Sequence, residues 1–185
     1  VVSGTGSVWR NLFNVFIGGS SGRNQVFVMD GGKLFFNTAT VGDNPTSSNN
    51  VVVVSGTGSV WSNSAGLVIG SLGWGNQLIV SNGGAVVSGD GHIGSLVPGS
   101  NSVRVVDNGM WENKGNLFVG EFGSASNTLN IAGGSVTASN AFIGSLSGPI
   151  PSNNFIRVDS GSLFVTNGLG TGTLWVSPGV GKSSL

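Results

Sequence analysis

The sequence predicts an all-β fold, a single-stranded parallel β-helix (β-solenoid) of about seven coils, each of about 26 residues and three short strands. Three observations carry that expectation. Residues 1–11, VVSGTGSVWRN, recur at residues 53–63 as VVSGTGSVWSN, with one change at an offset of 52. At about half that offset an asparagine recurs, at Asn24, Asn50, Asn76, Asn101, Asn127 and Asn154, spaced 26, 26, 25, 26 and 27 residues. Each is followed by alternating apolar positions, and no stretch carries a 3.6-residue apolar stripe long enough for a helix.

The first strand of each unit follows its asparagine. Two residues on come Val26, Val52, Leu78, Val103, Leu129 and Ile156, and four on come Val28, Val54, Val80, Val105, Ile131 and Val158. Between them stand Phe27, Val53, Ile79, Arg104, Asn130 and Arg157, a tolerant set that reads as the outward column of a half-buried strand. A glycine turn comes next, at Gly6, Gly32, Gly58, Gly84, Gly109, Gly134 and Gly161. A second strand then places Val8, Leu34, Val60, Val86, Met110, Val136 and Leu163 in one apolar column. The third strand ends in a hydrophobic–glycine pair, Ile17-Gly18, Val41-Gly42, Ile69-Gly70, Ile93-Gly94, Val119-Gly120 and Ile143-Gly144.

In a parallel β-helix identical positions stack about 4.8 Å apart, so the recurrent asparagines form a corner ladder of side-chain amides. Glycine supplies the positive-φ corner conformations that β-branched residues resist. A hairpin-built sandwich would not require equal spacing along the whole chain. Coils also alternate between two types. One carries Trp9, Trp61 and Trp111, each followed two residues on by Asn11, Asn63 and Asn113, with Asn63 read as a member of a corner ladder; the other carries Gly31-Gly32, Gly83-Gly84 and Gly133-Gly134. The sequence repeat is therefore a two-coil unit of about 52 residues.

Composition narrows the function classes. Of 185 residues 34 are glycine, none is cysteine, and seven cationic residues balance seven acidic ones. Cysteine absence removes disulfides and thiolate metal sites. Without a basic excess the chain lacks the electrostatic footprint of a nucleic-acid binder. No apolar run approaches the about 20 residues of a membrane-spanning helix.

The pattern Val54-Ser55-Gly56-Thr57-Gly58-Ser59-Val60-Trp61-Ser62-Asn63, continued by Leu78-Ile79-Val80-Ser81-Asn82-Gly83-Gly84-Ala85-Val86, resembles the repeats of autotransporter (type V secretion) passenger domains. The same repeat type occurs in PEP-CTERM-sorted surface proteins. The resemblance covers nearly the whole chain and implies a right-handed β-helix exported to a bacterial cell surface. The sequence departs from the family in showing no β-barrel translocator and no sorting tail.

Register weakens after Asn154: Phe164 stands where tryptophan is expected, and Thr173-Leu174-Trp175-Val176 arrives early. The expected division is solenoid repeats over 1–172 and an irregular C-terminal strand, cap or inter-subunit contact over 173–185. Two polar insertions, Asp43–Asn49 and Gly148–Ser152, fall at the same point of different coils, where solenoids often carry an interaction face.

Chemistry-bearing constellations are sparse. His92, the single histidine, follows Asp90 at the same outward parity, without a nucleophile at a matching spacing. Asp30, Asp107 and Asp159 recur at the turn after the first strand, but calcium-binding G-G-x-G-x-D tandems are missing. Gly70–Gly75 is glycine-rich but precedes a strand rather than the helix a phosphate cradle needs. The sequence thus assigns no catalytic residue, no cofactor and no metal site.

Aromatic residues give the sharper expectation. Phe16, Phe118 and Phe142 share one outward column; Trp9, Phe35, Trp61, Trp111 and Phe164 are read as a second. Together they form a candidate interaction face, against a neighbouring copy or against sugar. The expected function is a non-catalytic extracellular rod that self-associates into a fibre or surface layer, with an adhesin binding a glycan or host surface as the alternative.

Overall fold

The computed structural model of the chain describes residues 1–96, 99–144 and 153–176, and the backbone strand Ser183–Ser184. It is all-β, three parallel sheets wound into a β-solenoid with a coil spacing of about 26 residues. The first face stacks Val2–Ser3, Gln25–Met29, Val51–Ser55, Gln77–Ser81, Ser102–Val106, Thr128–Ala132, Asn154–Asp159 and Ser183–Ser184. The second stacks Val8–Arg10, Lys33–Phe36, Val60–Asn63, Ala85–Ser88, Met110–Asn113, Ser135–Ala138 and Ser162–Val165. The third stacks Val15–Ile17, Ala39–Val41, Leu67–Ile69, Gly91–Ile93, Asn116–Val119, Asn140–Ile143 and Leu174–Val176.

First-face strands follow the alternation read from sequence. Val52, Leu78, Val103 and Leu129, with Val54, Val80, Val105 and Ile131, are fully buried, while Arg104 and Arg157 point outward. Stacking like on like gives each inward side chain contacts above and below. One continuous core therefore runs the length of the rod.

The second face corrects the expected register. The inward column is Trp9, Leu34, Trp61, Val86, Trp111, Val136 and Leu163, paired in that order. Val8, Val60 and Met110 lie one position away, opposite Lys33, Ala85 and Ser135. Trp61 and Trp111 are therefore core residues, 0% and 1% exposed, and not members of an outer face. Trp9 is half-exposed only because it heads the column in the first coil. Phe35 is outward, in line with Arg10, Ser62, Val87, Glu112, Thr137 and Phe164.

At Val8 and Val60 the physical cause is turn length; before Met110 the turn has three residues, and Trp111, two after Gly109, takes the position that Val86 takes two after Gly84. Gly56–Ser59 places four residues between strands, whereas Asp30–Gly32 and Asn82–Gly84 place three. Counting from glycine then slips the strand by one, and a one-residue slip exchanges its faces. The true turn column holds Ser7, Gly32, Ser59 and Gly84, since Lys33 bonds to Ser7 O, Val60 to Gly32 O and Ala85 to Ser59 O. Buried Ser59 completes the longer turn, donating to Ser55 O at 2.7 Å and accepting from Gly31 N at 3.0 Å.

The two-coil period follows from core volume. Where the second face carries Trp61 or Trp111, the third face of the neighbouring coil carries Ala39 or Gly91, paired with Leu67 and Leu117. A Cβ on Gly91 would lie 2.7 Å from Cζ2 of Trp111, so the missing side chain is the space the indole occupies. Large and small residues alternate along the axis to keep the core filled.

The C-terminal strand also departs from expectation. Leu174–Val176 is no irregular segment; it continues the third face, pairing with Ala141, Phe142 and Ile143. A wide corner precedes it, in which Asn167 Oδ1 accepts from the amides of Leu169 at 3.1 Å and Thr171 at 2.9 Å. The strand thus belongs to the seventh coil. Leu163, not Phe164, takes the tryptophan column there. The insertion at Gly148–Ser152 lies outside the described residues.

Candidate functional site

The strongest polar feature is the corner between the third and first faces. From Asn50 onward, Oδ1 of each ladder asparagine accepts two bonds from the asparagine one coil earlier, from its backbone amide and its Nδ2. The pairs are Asn24 to Asn50 at 2.9 and 2.8 Å, Asn50 to Asn76 at 3.0 and 2.8 Å, and Asn76 to Asn101 at 3.0 and 3.1 Å. They continue as Asn101 to Asn127 at 3.0 and 3.2 Å and Asn127 to Asn154 at 2.8 and 3.0 Å. Asn154 ends the run by donating to Ser124 O at 2.9 Å. All but Asn24 are fully buried. Buried amides are costly unless bonded, so this column locks coil register rather than offering donors to a ligand.

Two further features build this corner. The residue before each ladder asparagine is left-handed, with φ between 57° and 67° at Arg23, Asn49, Gly75, Ser100, Ser126 and Asn153. And the glycine ending each third strand faces the asparagine of the following coil: a Cβ on Gly18, Gly42, Gly70, Gly94 or Gly120 would overlap the amide of Asn50, Asn76, Asn101, Asn127 or Asn154.

Asn63 does not join a ladder. It points inward beside Trp61 and accepts its indole N–H at 2.9 Å. Trp111 reaches Ser88 Oγ at 3.2 Å, and Ser88 donates to Asn113 Oδ1 at 2.8 Å. A Trp-x-Asn pair puts both side chains on the inner face of one strand, so the buried indole has an acceptor.

The outer column of the third face is Phe16, Thr40, Val68, His92, Phe118, Phe142 and Trp175. His92, Phe118 and Phe142 stack with centroids 4.9 Å apart and interplanar angles of 15° and 13°. Their planes face one another along the column, which leaves ring edges toward solvent. Phe16 stands apart, 54% exposed. On the second face Arg10 lies over the Phe35 ring at 4.7 Å.

His92 is paired with Glu121, Nδ1 to Oε2 at 2.5 Å, and not with Asp90. Asp90 instead accepts from the backbone amide of Asn116 at 2.6 Å. The recurrent turn aspartates are dispersed. Asp30 accepts from Ser3 at 2.9 Å, Asp159 meets Arg157 at 3.3 Å, and Asp30 and Asp107 adopt φ of 53° and 48°. Among the described residues no three metal-capable side chains gather. No helix there is long and apolar enough to cross a membrane.

The Asp43–Asn49 corner is zipped to its neighbours. Asn44 donates to Gly19 O, Thr46 to Ser20 O at 3.0 Å and buried Ser47 to Ser21 O at 3.2 Å. Beside it the structure exposes an apolar set that sequence reasoning missed: Trp74, Leu96 and Phe122. Leu72 and Leu96 stand in register, Leu96 N bonding to Ser71 O. The recurring Ile-Gly-Ser-Leu at 69–72 and 93–96 was the available signal.

No protein-family model, curated protein or solved structure matches the chain.

Proposed function

We propose that the chain is a non-catalytic structural protein, a stiff β-solenoid rod that self-associates into an extracellular fibre or bacterial surface layer. The observation that carries this reading is the outer surface. Its columns hold Phe16, Val68, Phe118, Phe142 and Trp175 on one face and Val60, Met110, Phe35 and Val87 on another, in a chain with only 8% charged residues. A surface with so little charge lacks the repulsion that keeps soluble rods apart. Phe16 and Met110 are exposed and the others half-buried, and apolar area left partly in water gains by being covered. The extracellular, cell-surface setting rests on the resemblance to autotransporter and PEP-CTERM-associated repeats.

Negative-stain microscopy of the purified chain over a concentration series tests the proposal. Bundles or filaments that grow with concentration are the expected result; monodisperse short rods at the highest concentration would sink it. An adhesin passenger is the second reading, and Trp74, 46% exposed beside the Asp43–Asn49 corner, is the observation in its favour. Phe118 and Phe142 give it less, because a sugar stacks on an aromatic face and theirs are turned to each other. Saturable binding on a glycan array, lost in Trp74→Ala, would favour the adhesin.

A further inference from the structure

The second face carries charges of opposite sign on well-separated coils. Over the first five coils its outer surface is two columns, Arg10, Phe35, Ser62, Val87 and Glu112 in one and Val8, Lys33, Val60, Ala85 and Met110 in the other. Arg10 and Lys33 stand on coils one and two and Glu112 on coil five, all three exposed. Among the described residues the ion pairs are His92–Glu121 and Arg157–Asp159, so none of these three charges is neutralised there. Arg10 lies over the Phe35 ring at 4.7 Å, which holds its guanidinium along the column.

These columns are self-complementary when a second copy runs the other way. Turned about a two-fold axis at Ser62, the copy brings its Glu112 opposite Arg10, its Val87 opposite Phe35 and its Ser62 opposite Ser62. In the other column Met110 meets Val8, Ala85 meets Lys33 and Val60 meets its own equivalent. An isologous contact makes every pair twice, so both Arg10–Glu112 pairs form at once. Lys33 faces the small Ala85, one strand from the same carboxylate. A copy running in the same direction would set coil against like coil, crowding two Arg10 and two Lys33 at one end and two Glu112 at the other, and like charges across a contact are costly. The other faces offer no such match, since Asp159 is already held by Arg157 on the first and His92 by Glu121 on the third.

We propose that two copies of this chain associate side by side and antiparallel through their second faces, with Arg10 of each opposite Glu112 of the other and Ser62 on the two-fold axis. The contact rests on the self-association reading and gives it a face and a direction. Five coils at about 4.8 Å each make a paired strip about 24 Å long. Two columns wide, that strip falls well short of the about 800 Å² per partner of a stable dimer, so the pair forms only as concentration rises. Its exposed ion pairs add little affinity each and act chiefly by selecting the direction. The aromatic column of the third face stays open for further copies.

The chain has no cysteine, so a single nitroxide can be placed on Phe164→Cys, in the Arg10 column two strands beyond Glu112. Phe164 lies four coils from Ser62, which sets the two labels of an antiparallel pair eight coils apart, at about 40 Å. Double electron–electron resonance over a concentration series should show that distance growing in. Glu112→Arg sets like charges opposite at both ends and should weaken association about tenfold. Adding Arg10→Glu reverses both signs and should restore it, which separates a lost contact from a lost fold. Labels within about 10 Å of each other would mean parallel copies, and association untouched by Glu112→Arg would mean another face. Either result overturns the proposal and leaves self-association standing, whereas monomers at every concentration would overturn both.

Discussion

The carboxamide of Asn127 occupies the space that a side chain on Gly94 would need, one coil away across the corner. The same amide accepts from Asn101 N at 3.0 Å and Nδ2 at 3.2 Å, so glycine and ladder are one device. Gly94 also has φ +72°, where an L-residue costs about 1–2 kcal/mol. Gly94→Ala should therefore lose that conformational term and also displace two bonds of about 1 kcal/mol each, for a total of about 3–4 kcal/mol. Gly6→Ala is the control: φ +90° with nothing near its Cβ, expected to cost about 1–2 kcal/mol. Equal losses in denaturant unfolding would show that the amide simply moves aside.

The ladder should be strong in the middle and weak at its head. Asn101→Ala leaves two buried donors of Asn76 without an acceptor, each about 1–3 kcal/mol, and should cost on the order of 3–5 kcal/mol. Asn24 is only partly buried and, among the described residues, nothing donates to its Oδ1, so Asn24→Ala should cost about 1 kcal/mol. The comparison is made by thermal unfolding of dilute protein. A smaller loss at Asn101 than at Asn24 would contradict the ladder as a register lock.

The first and third strands were legible in the sequence because their neighbours begin at a fixed distance from an asparagine or end at a fixed glycine. The second was not. Its turn carries four residues before Val60 and three before Ala85, so an alternation counted from glycine slips by one and turns Trp61 outward. Arg10 and Glu112, directly after tryptophans, carried the opposite message, since a charge seldom faces a core. The Gly94–Asn127 contact spans 33 residues and three strands, and no local pattern encodes it. Spacing shows that positions recur; which recurring positions touch depends on how the corner folds.

Gly91 and Trp111 should be energetically coupled. Gly91→Ala drives a Cβ against the indole and the Asn113 amide, an overpacking cost of about 1–3 kcal/mol. Trp111→Leu leaves a cavity in the core, costing on the order of 3 kcal/mol. In the double variant the new methyl group enters space the indole has vacated. The summed single losses should then exceed the double loss by about 1 kcal/mol or more. Strict additivity in the four-member unfolding cycle would mean the two sites do not share volume.

Quenching separates the tryptophans by position and so checks the second-face register in solution. Trp61 and Trp111 are 0% and 1% exposed, against 47% for Trp9 and 46% for Trp74. Iodide, a charged quencher excluded from an apolar core, should reach Trp9 and Trp74 and leave a protected, blue-shifted fraction. Trp61→Phe and Trp111→Phe should each remove part of that fraction, whereas Trp74→Phe should remove only quenchable signal. The Phe variants keep most of the buried ring and lose the indole N–H bond to Asn63 or Ser88, worth about 1 kcal/mol, so the rod should remain folded. Uniform quenching of all the tryptophans would place Trp61 and Trp111 on the outside and reverse the faces of the second sheet.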